Sequence, residues 1–91
     1  MNKQDLIDAI SSETDTTKVA VGKMINALIE QVQKSVASGD QVKLSGFGTF
    51  ERATVAARTG RNPKTGAPIP IPAKMRPRFM PGSAFKDKVK G

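Results

Sequence analysis

Arg58-Thr59-Gly60-Arg61-Asn62-Pro63-Lys64-Thr65-Gly66 packs two glycines, an Asn-Pro step and several cations into one short stretch, a composition that makes a tight turn and loads it with positive charge. Standing alone it reads as a solvated hairpin turn. Its flanks make it the tip of a β-ribbon that touches a polyanion. From Arg52 to about Met75 large apolar residues nearly vanish, leaving Val55, Ile69 and Ile71, and a structureless loop of that length does not suit a compact domain. A projecting ribbon does. Thr54-Val55-Ala56-Ala57 leaves as one strand, and Pro68-Ile69-Pro70-Ile71-Pro72 returns as the other. Alternate residues of a strand aim their N–H groups at the same edge, so Pro68, Pro70 and Pro72 strip donors from one edge and leave Ile69 and Ile71 to pair on the other. Such a ribbon pairs inward without aggregating outward. A polyproline linker would lack both the basic turn and the matching outgoing strand.

Beyond the ribbon, Arg76-Pro77-Arg78-Phe79-Met80 resumes a period of two, with Phe79 toward a core and Arg76 and Arg78 outside. Pro81-Gly82-Ser83 breaks that strand and caps a last helix from Ala84 to Lys90. Phe85 and Val89 dock it, while Lys86, Lys88 and Lys90 face water and suit the helix dipole. Before the ribbon, Val42 and Leu44 alternate with Gln41 and Lys43, Ser45-Gly46 turns the chain, and Phe47 and Phe50 flank Gly48-Thr49. Phe47, Phe50, Phe79 and Phe85 are the only aromatics, and they are assigned to core packing of a sheet on helices rather than to base stacking.

The N-terminal half is helical. Asn2 followed by Asp5 resembles a capping box, and Leu6, Ile7 and Ile10 recur at helical spacing, which predicts a helix at about residues 3–13. Thr16 or Thr17 caps a second helix whose apolar stripe is Val21, Met24, Ile25, Leu28, Ile29, Val32 and Val36, ended by Gly39. Two helices alone cannot bury that stripe. The excess predicts pairing with a second copy, and 91 residues is a size at which such help is common. The core and pairing set is Leu6, Ile10, Met24, Ile25, Leu28, Ile29, Val32, Val36 and Leu44 with the four phenylalanines.

Charge divides the chain. Residues 1–45 hold five Lys against six acids, and residues 46–91 hold five Arg and five Lys against only Glu51 and Asp87, so the halves carry −1 and +8. Every Arg and every Pro lies in the second half. The first half reads as scaffold and the second as a footprint for an anion, with nucleic acid the leading candidate. Surface charge placed for solubility would intersperse both signs. Cysteine and histidine are absent, which excludes a disulfide framework, a thiolate nucleophile and ordinary zinc sites, so neither metal nor cofactor is expected. No apolar run approaches a membrane span or a signal-peptide core, which points to a soluble cytoplasmic chain.

Gly46-Phe47-Gly48-Thr49-Phe50, the run from Ala57 to Gly66, and Phe79 with Gly82 before Phe85-Lys86 resemble the HU and integration host factor family of bacterial histone-like DNA-bending proteins, HU type above all. The resemblance spans the chain without a gap. It implies an α+β fold: an intertwined homodimer with a helical body, a three-stranded antiparallel sheet and a protruding two-stranded β-ribbon arm on each chain. The expected organisation is one domain over residues 1–91, with a helical dimerisation region at 1–45, the sheet at 46–82, its arm at about 52–76, and a C-terminal helix at 83–91. It also implies a nucleoid-associated protein whose arms enter the minor groove of double-stranded DNA. The family's wedge falls on Pro63, rigid, apolar and without a donor, which would enter between base steps. Arg58, Arg61, Asn62 and Lys64 would contact the groove and its phosphates, and Arg52, Lys74, Arg76, Arg78, Lys86 and Lys3 would line the flanking track. The family commonly carries arginines where Ala53 and Val55 stand here and a lysine where Pro70 stands, which moves the expected track toward the base of the arm.

An architectural, largely sequence-independent DNA-bending role follows, with no small-molecule substrate. A sequence-preferring factor resembling integration host factor is the alternative, toward which the proline-rich return strand leans. The N-terminus and the absence of an extension after Gly91 lean the other way, and a paralogue could replace one chain of the dimer. RNA binding lacks stacking aromatics outside the core. Catalysis lacks histidine, cysteine and a phosphate-binding glycine loop.

Overall fold

A computed structural model of the chain describes residues 1–90; Gly91, assigned above to the last helix, lies outside them. The element order is α1 (Lys3–Thr14), α2 (Lys18–Ala37), β1 (Val42–Leu44), β2 (Gly48–Val55), β3 (Arg58–Arg61), β4 (Pro68–Ile71), β5 (Lys74–Pro81) and α3 (Ser83–Lys90). This is the α+β architecture expected from the sequence. The chain divides into two compact units, residues 1–34 and Ser35 onward.

In the first unit, α1 begins with the predicted capping box. Asp5 N–H donates to Asn2 Oδ1 at 2.9 Å, and Asn2 N–H donates to Asp5 Oδ2 at 3.0 Å, which satisfies orphan donors from both sides. The helix ends on Asp15 in the left-handed region, φ 53°, a conformation that Asp tolerates better than most residues. Ala20 N–H then donates to Thr17 Oγ1 at 3.2 Å, so of the two expected caps for α2 it is Thr17 that serves.

The two helices bury Ile7 and Val21. Ile7 Cδ1 would lie 3.7 Å from a Cβ on Gly22, so α1 seats on α2 where side chains are smallest. This footprint is narrower than the apolar stripe. Of the expected core set only Val36 is buried within one chain, while Ile10, Ile25, Val32, Leu44, Phe50 and Phe85 are half-buried. Leu6, Met24, Leu28, Ile29, Phe47 and Phe79 remain exposed, Met24 to 63%. Within one chain, then, the expected core and pairing set is covered only in part.

In the second unit, α2 closes with Gly39 N–H donating to Val36 O at 3.1 Å and Asp40 N–H to Ser35 O at 2.9 Å. This 5→2 and 6→1 pair makes Gly39 the C′ residue, as its position predicted. β1, β2 and β5 then form an antiparallel sheet in the order β1-β2-β5, and β3 and β4 form a separate two-stranded ladder. Register fixes the faces: Val42↔Phe50↔Phe79 lie on one side of the sheet, and Lys43↔Thr49↔Met80 and Glu51↔Arg78 on the other. On the first side the four phenylalanines cluster, with ring centroids 4.8 Å apart for Phe50–Phe79 and 5.3 Å for both Phe47–Phe79 and Phe47–Phe85. Gly48 makes that possible. A Cβ there would stand 2.6 Å from both Met80 O and Phe79 Cε1, a separation only glycine avoids.

The sequence predicted one continuous outgoing strand through Ala57, but β2 stops at Val55 and pairing resumes at Arg58. Opposite the gap lie Pro72 and Ala73. The ladder lapses on both strands at once there. Past the gap the register is Arg58↔Ile71, Thr59↔Pro70, Gly60↔Ile69 and Arg61↔Pro68. Because proline cannot donate, the hydrogen-bonded pairs are those of Ile69 and Ile71, as the alternation of prolines required.

Candidate nucleic-acid interface

The turn from Asn62 to Ala67 is organised by Asn62. Its Oδ1 accepts from Lys64 N–H at 2.8 Å, arching over Pro63 in an Asx turn. Its backbone O accepts from Gly66 N–H at 2.7 Å, and its own N–H donates to Ala67 O at 2.8 Å. Gly66 sits at φ 72°, where a side chain would be strained, and its O accepts from Arg61 Nη1 at 3.1 Å. Thr65 Oγ1 takes the Ala67 N–H at 3.3 Å. The result is an exposed proline at the apex of a turn held by internal hydrogen bonds, with Arg58, Arg61 and Lys64 exposed around it.

At the base of the hairpin, register brings Lys74, Arg76 and Arg78 of β5 onto the sheet face that Lys43 of β1 also occupies. Lys43 was absent from the sequence-derived track, although its alternation with Val42 and Leu44 places it there. Arg52 is on the opposite face, with Phe50 and Thr54, and its Nη1 donates to Ala37 O at 3.3 Å. It caps the end of α2, where a cation complements the exposed carbonyls.

Arg78 is also engaged. Its Nε donates to Glu51 Oε1 at 2.9 Å and its Nη2 bonds the same oxygen, while Glu51 Oε2 accepts from Gln41 Nε2 at 2.8 Å. The Arg78 hydrogen bond, followed by that of Gln41, holds the Glu51 carboxyl below its ordinary value of 4.5, so the carboxylate is ionised at neutral pH. In the first unit Lys3 donates through Nζ to Asn26 Oδ1, and in the second Lys86 is exposed on α3. The structure thus gathers Arg58, Arg61, Asn62, Pro63 and Lys64 on one hairpin, and Lys74, Arg76 and Arg78 on one sheet face. Among the described residues no helix is long and apolar enough to cross a membrane, and no cluster of acidic or sulfur ligands could hold a metal ion.

The family model described as bacterial DNA-binding protein matches residues 1–90. The DNA-binding protein HU of Staphylococcus aureus is 50% identical over 90 residues, covering 99% of this chain and all of that one. The HU-beta protein of Pseudomonas aeruginosa is 51% identical over 89 residues, 98% of this chain and 99% of its own. Among solved structures, an Anabaena HU–DNA cocrystal structure superposes with a TM-score of 0.88 at 43% identity, covering 98% of this chain and 97% of that one. HU from Thermotoga maritima gives 0.69 at 29% identity, with 98% of each chain covered.

Proposed function

The chain belongs to the bacterial DNA-binding protein family, and from that premise we propose that it is an architectural protein that binds double-stranded DNA with little regard to sequence and bends and compacts the bacterial chromosome. The observation that carries this reading is Pro63, exposed at the apex of a turn held by internal hydrogen bonds and surrounded by cations. A rigid, donorless ring so presented suits insertion between base steps from the minor groove, where Arg58, Arg61 and Lys64 meet enhanced negative potential. Lys74 and Arg76 at the base of the arm, with Lys3 and Lys86, serve as phosphate contacts that orient the duplex. Residues 1–91 act as one functional domain in this reading, and its place is the nucleoid. Site-specific recognition is not favoured, since the relatives at half identity are HU proteins.

The working unit is a pair of chains. Leu6, Met24, Leu28 and Ile29 are exposed apolar positions on helices whose one-chain interface is already filled by Ile7 and Val21, and burying them in a second copy removes that surface from water. Mass determination of the free protein gives twice the chain mass if this is right.

Mobility shifts over a range of salt test the binding mode. If roughly 6–10 phosphates are neutralised, log K falls against log salt with a slope of about −5 to −9. An affinity indifferent to salt overturns the account. End-to-end fluorescence transfer on a short duplex tests the wedge: Pro63→Ala keeps most of the affinity and loses bend, and an unchanged bend rules the wedge out.

A further inference from the structure

Glu51 is the only acid between residues 41 and 86, and register places it on the sheet face that carries Lys43, Lys74, Arg76 and Arg78. A lone carboxylate amid cations on a face that meets an anion calls for a reason. Its two oxygens are separately engaged, Oε1 by Arg78 Nε at 2.9 Å and by Arg78 Nη2, and Oε2 by Gln41 Nε2 at 2.8 Å. The Glu51 side chain is 12% exposed and that of Arg78 49%. The carboxylate is therefore the fixed, covered partner, and the guanidinium is the group an incoming phosphate would reach first.

We propose that Glu51 is an internal competitor for DNA phosphate: it retains Arg78 in an intramolecular ion pair and so limits how many phosphates the sheet face neutralises. This rests on the DNA-binding reading above and deepens it. An arginine already neutralised by a carboxylate holds no claim on a phosphate's counterion, so it releases none on binding. A phosphate brought against Arg78 would also face the Glu51 charge at short range, in surroundings that screen it less than bulk water. Lys43, Lys74 and Arg76 have no acidic partner among the described residues, and they remain the cations of that face. The pair thereby trades affinity for a shallower salt dependence.

Salt-dependent binding of the full-length protein and of Glu51→Gln, Arg78→Ala and the double variant, on one linear duplex, tests this, with thermal unfolding to confirm that each folds. Glu51→Gln steepens the slope by about 1 for each Arg78 released and raises affinity roughly fivefold near 0.1 M salt. Arg78→Ala alone lowers affinity, because it leaves the Glu51 carboxylate unpaired against the duplex, and in the double variant affinity and slope return to those of the unaltered protein. If Glu51 instead holds Arg78 in a pose that serves phosphate, Glu51→Gln leaves affinity unchanged or lowers it, and the double variant flattens the slope by about 1. Either result overturns the proposal, and the double variant decides even if Glu51→Gln does not fold. Failure of the unaltered protein to bind DNA would count against the function itself, whereas binding with a silent Glu51→Gln counts only against the competitor.

Discussion

The same two stretches of chain build two ribbons held in different ways. Between β2 and β5 the ladder runs from Gly48↔Pro81 to Val55↔Lys74 and lies against four clustered phenylalanines. Between β3 and β4 it runs only from Arg58↔Ile71 to Arg61↔Pro68, its residues almost all exposed, and side chain–backbone bonds at Asn62, Thr65 and Arg61 close it. The base is stabilised by apolar packing, which is global and cooperative. The arm is stabilised by turn chemistry, which is local. An element proposed to lie in a groove of DNA cannot hide its surface in its own core, so its order has to come from backbone and turn, and its free energy of local opening is expected at the low end of the molecule.

Substitutions that act on packing should therefore damage the base and those that act on turn chemistry only the arm. The largest effect is expected at Phe79, whose ring touches the other three: Phe79→Ala costs about 2–3 kcal/mol, since its ring is partly exposed, and lowers the melting temperature by on the order of 10 °C or more. Gly48→Ala comes next. Its methyl would collide with Met80 O and the Phe79 ring, and forcing that face apart costs about 1–3 kcal/mol. Neutral outcomes at both positions would mean that the base, like the arm, is held by its ladder alone.

Arg52 gives a smaller effect and separates sequence from structure. The sequence placed it on the phosphate track, and the structure has it donating to Ala37 O. Arg52→Ala as a lost cap costs about 1 kcal/mol and leaves the salt slope of DNA binding unchanged, whereas loss of a phosphate contact flattens that slope by about 1. The contrast shows what a sequence discloses. The capping box at Asn2 and Asp5, the C′ role of Gly39, the alternation through Val42 and Leu44 and the proline-blocked edge of β4 were legible, because each is decided by neighbours a few residues away. Arg52 was not, because its partner is reached only when the sheet folds back beside the end of α2. The lapse at Ala56–Ala57 was hidden as well: nothing in those alanines forbids a strand, and the interruption shows only in the register across to Pro72 and Ala73. The exposed Met24 and Leu28 had to await a structure too, since periodicity marks an apolar face without saying how much of it one chain covers.

The smallest global effect belongs to the arm, and it probes the comparison from the other side. Asn62→Ala removes the acceptor that arches over Pro63 and leaves the Lys64 N–H to water. At an exposed turn such a loss is worth about 1 kcal/mol locally, and because the arm shares no side-chain core with the base it should move the melting temperature by less than about 2 °C. Amide exchange should register what melting does not: faster exchange at Lys64 and Gly66, with Phe50 and Phe79 unchanged. The bend should fall as well, since a proline on a loosened turn must be ordered before it can wedge, at a cost the native turn has already met. If Asn62→Ala instead lowers the melting temperature as much as Gly48→Ala does, the arm and the base form one cooperative unit, and the gap at Ala56–Ala57 and Pro72–Ala73 does not divide them.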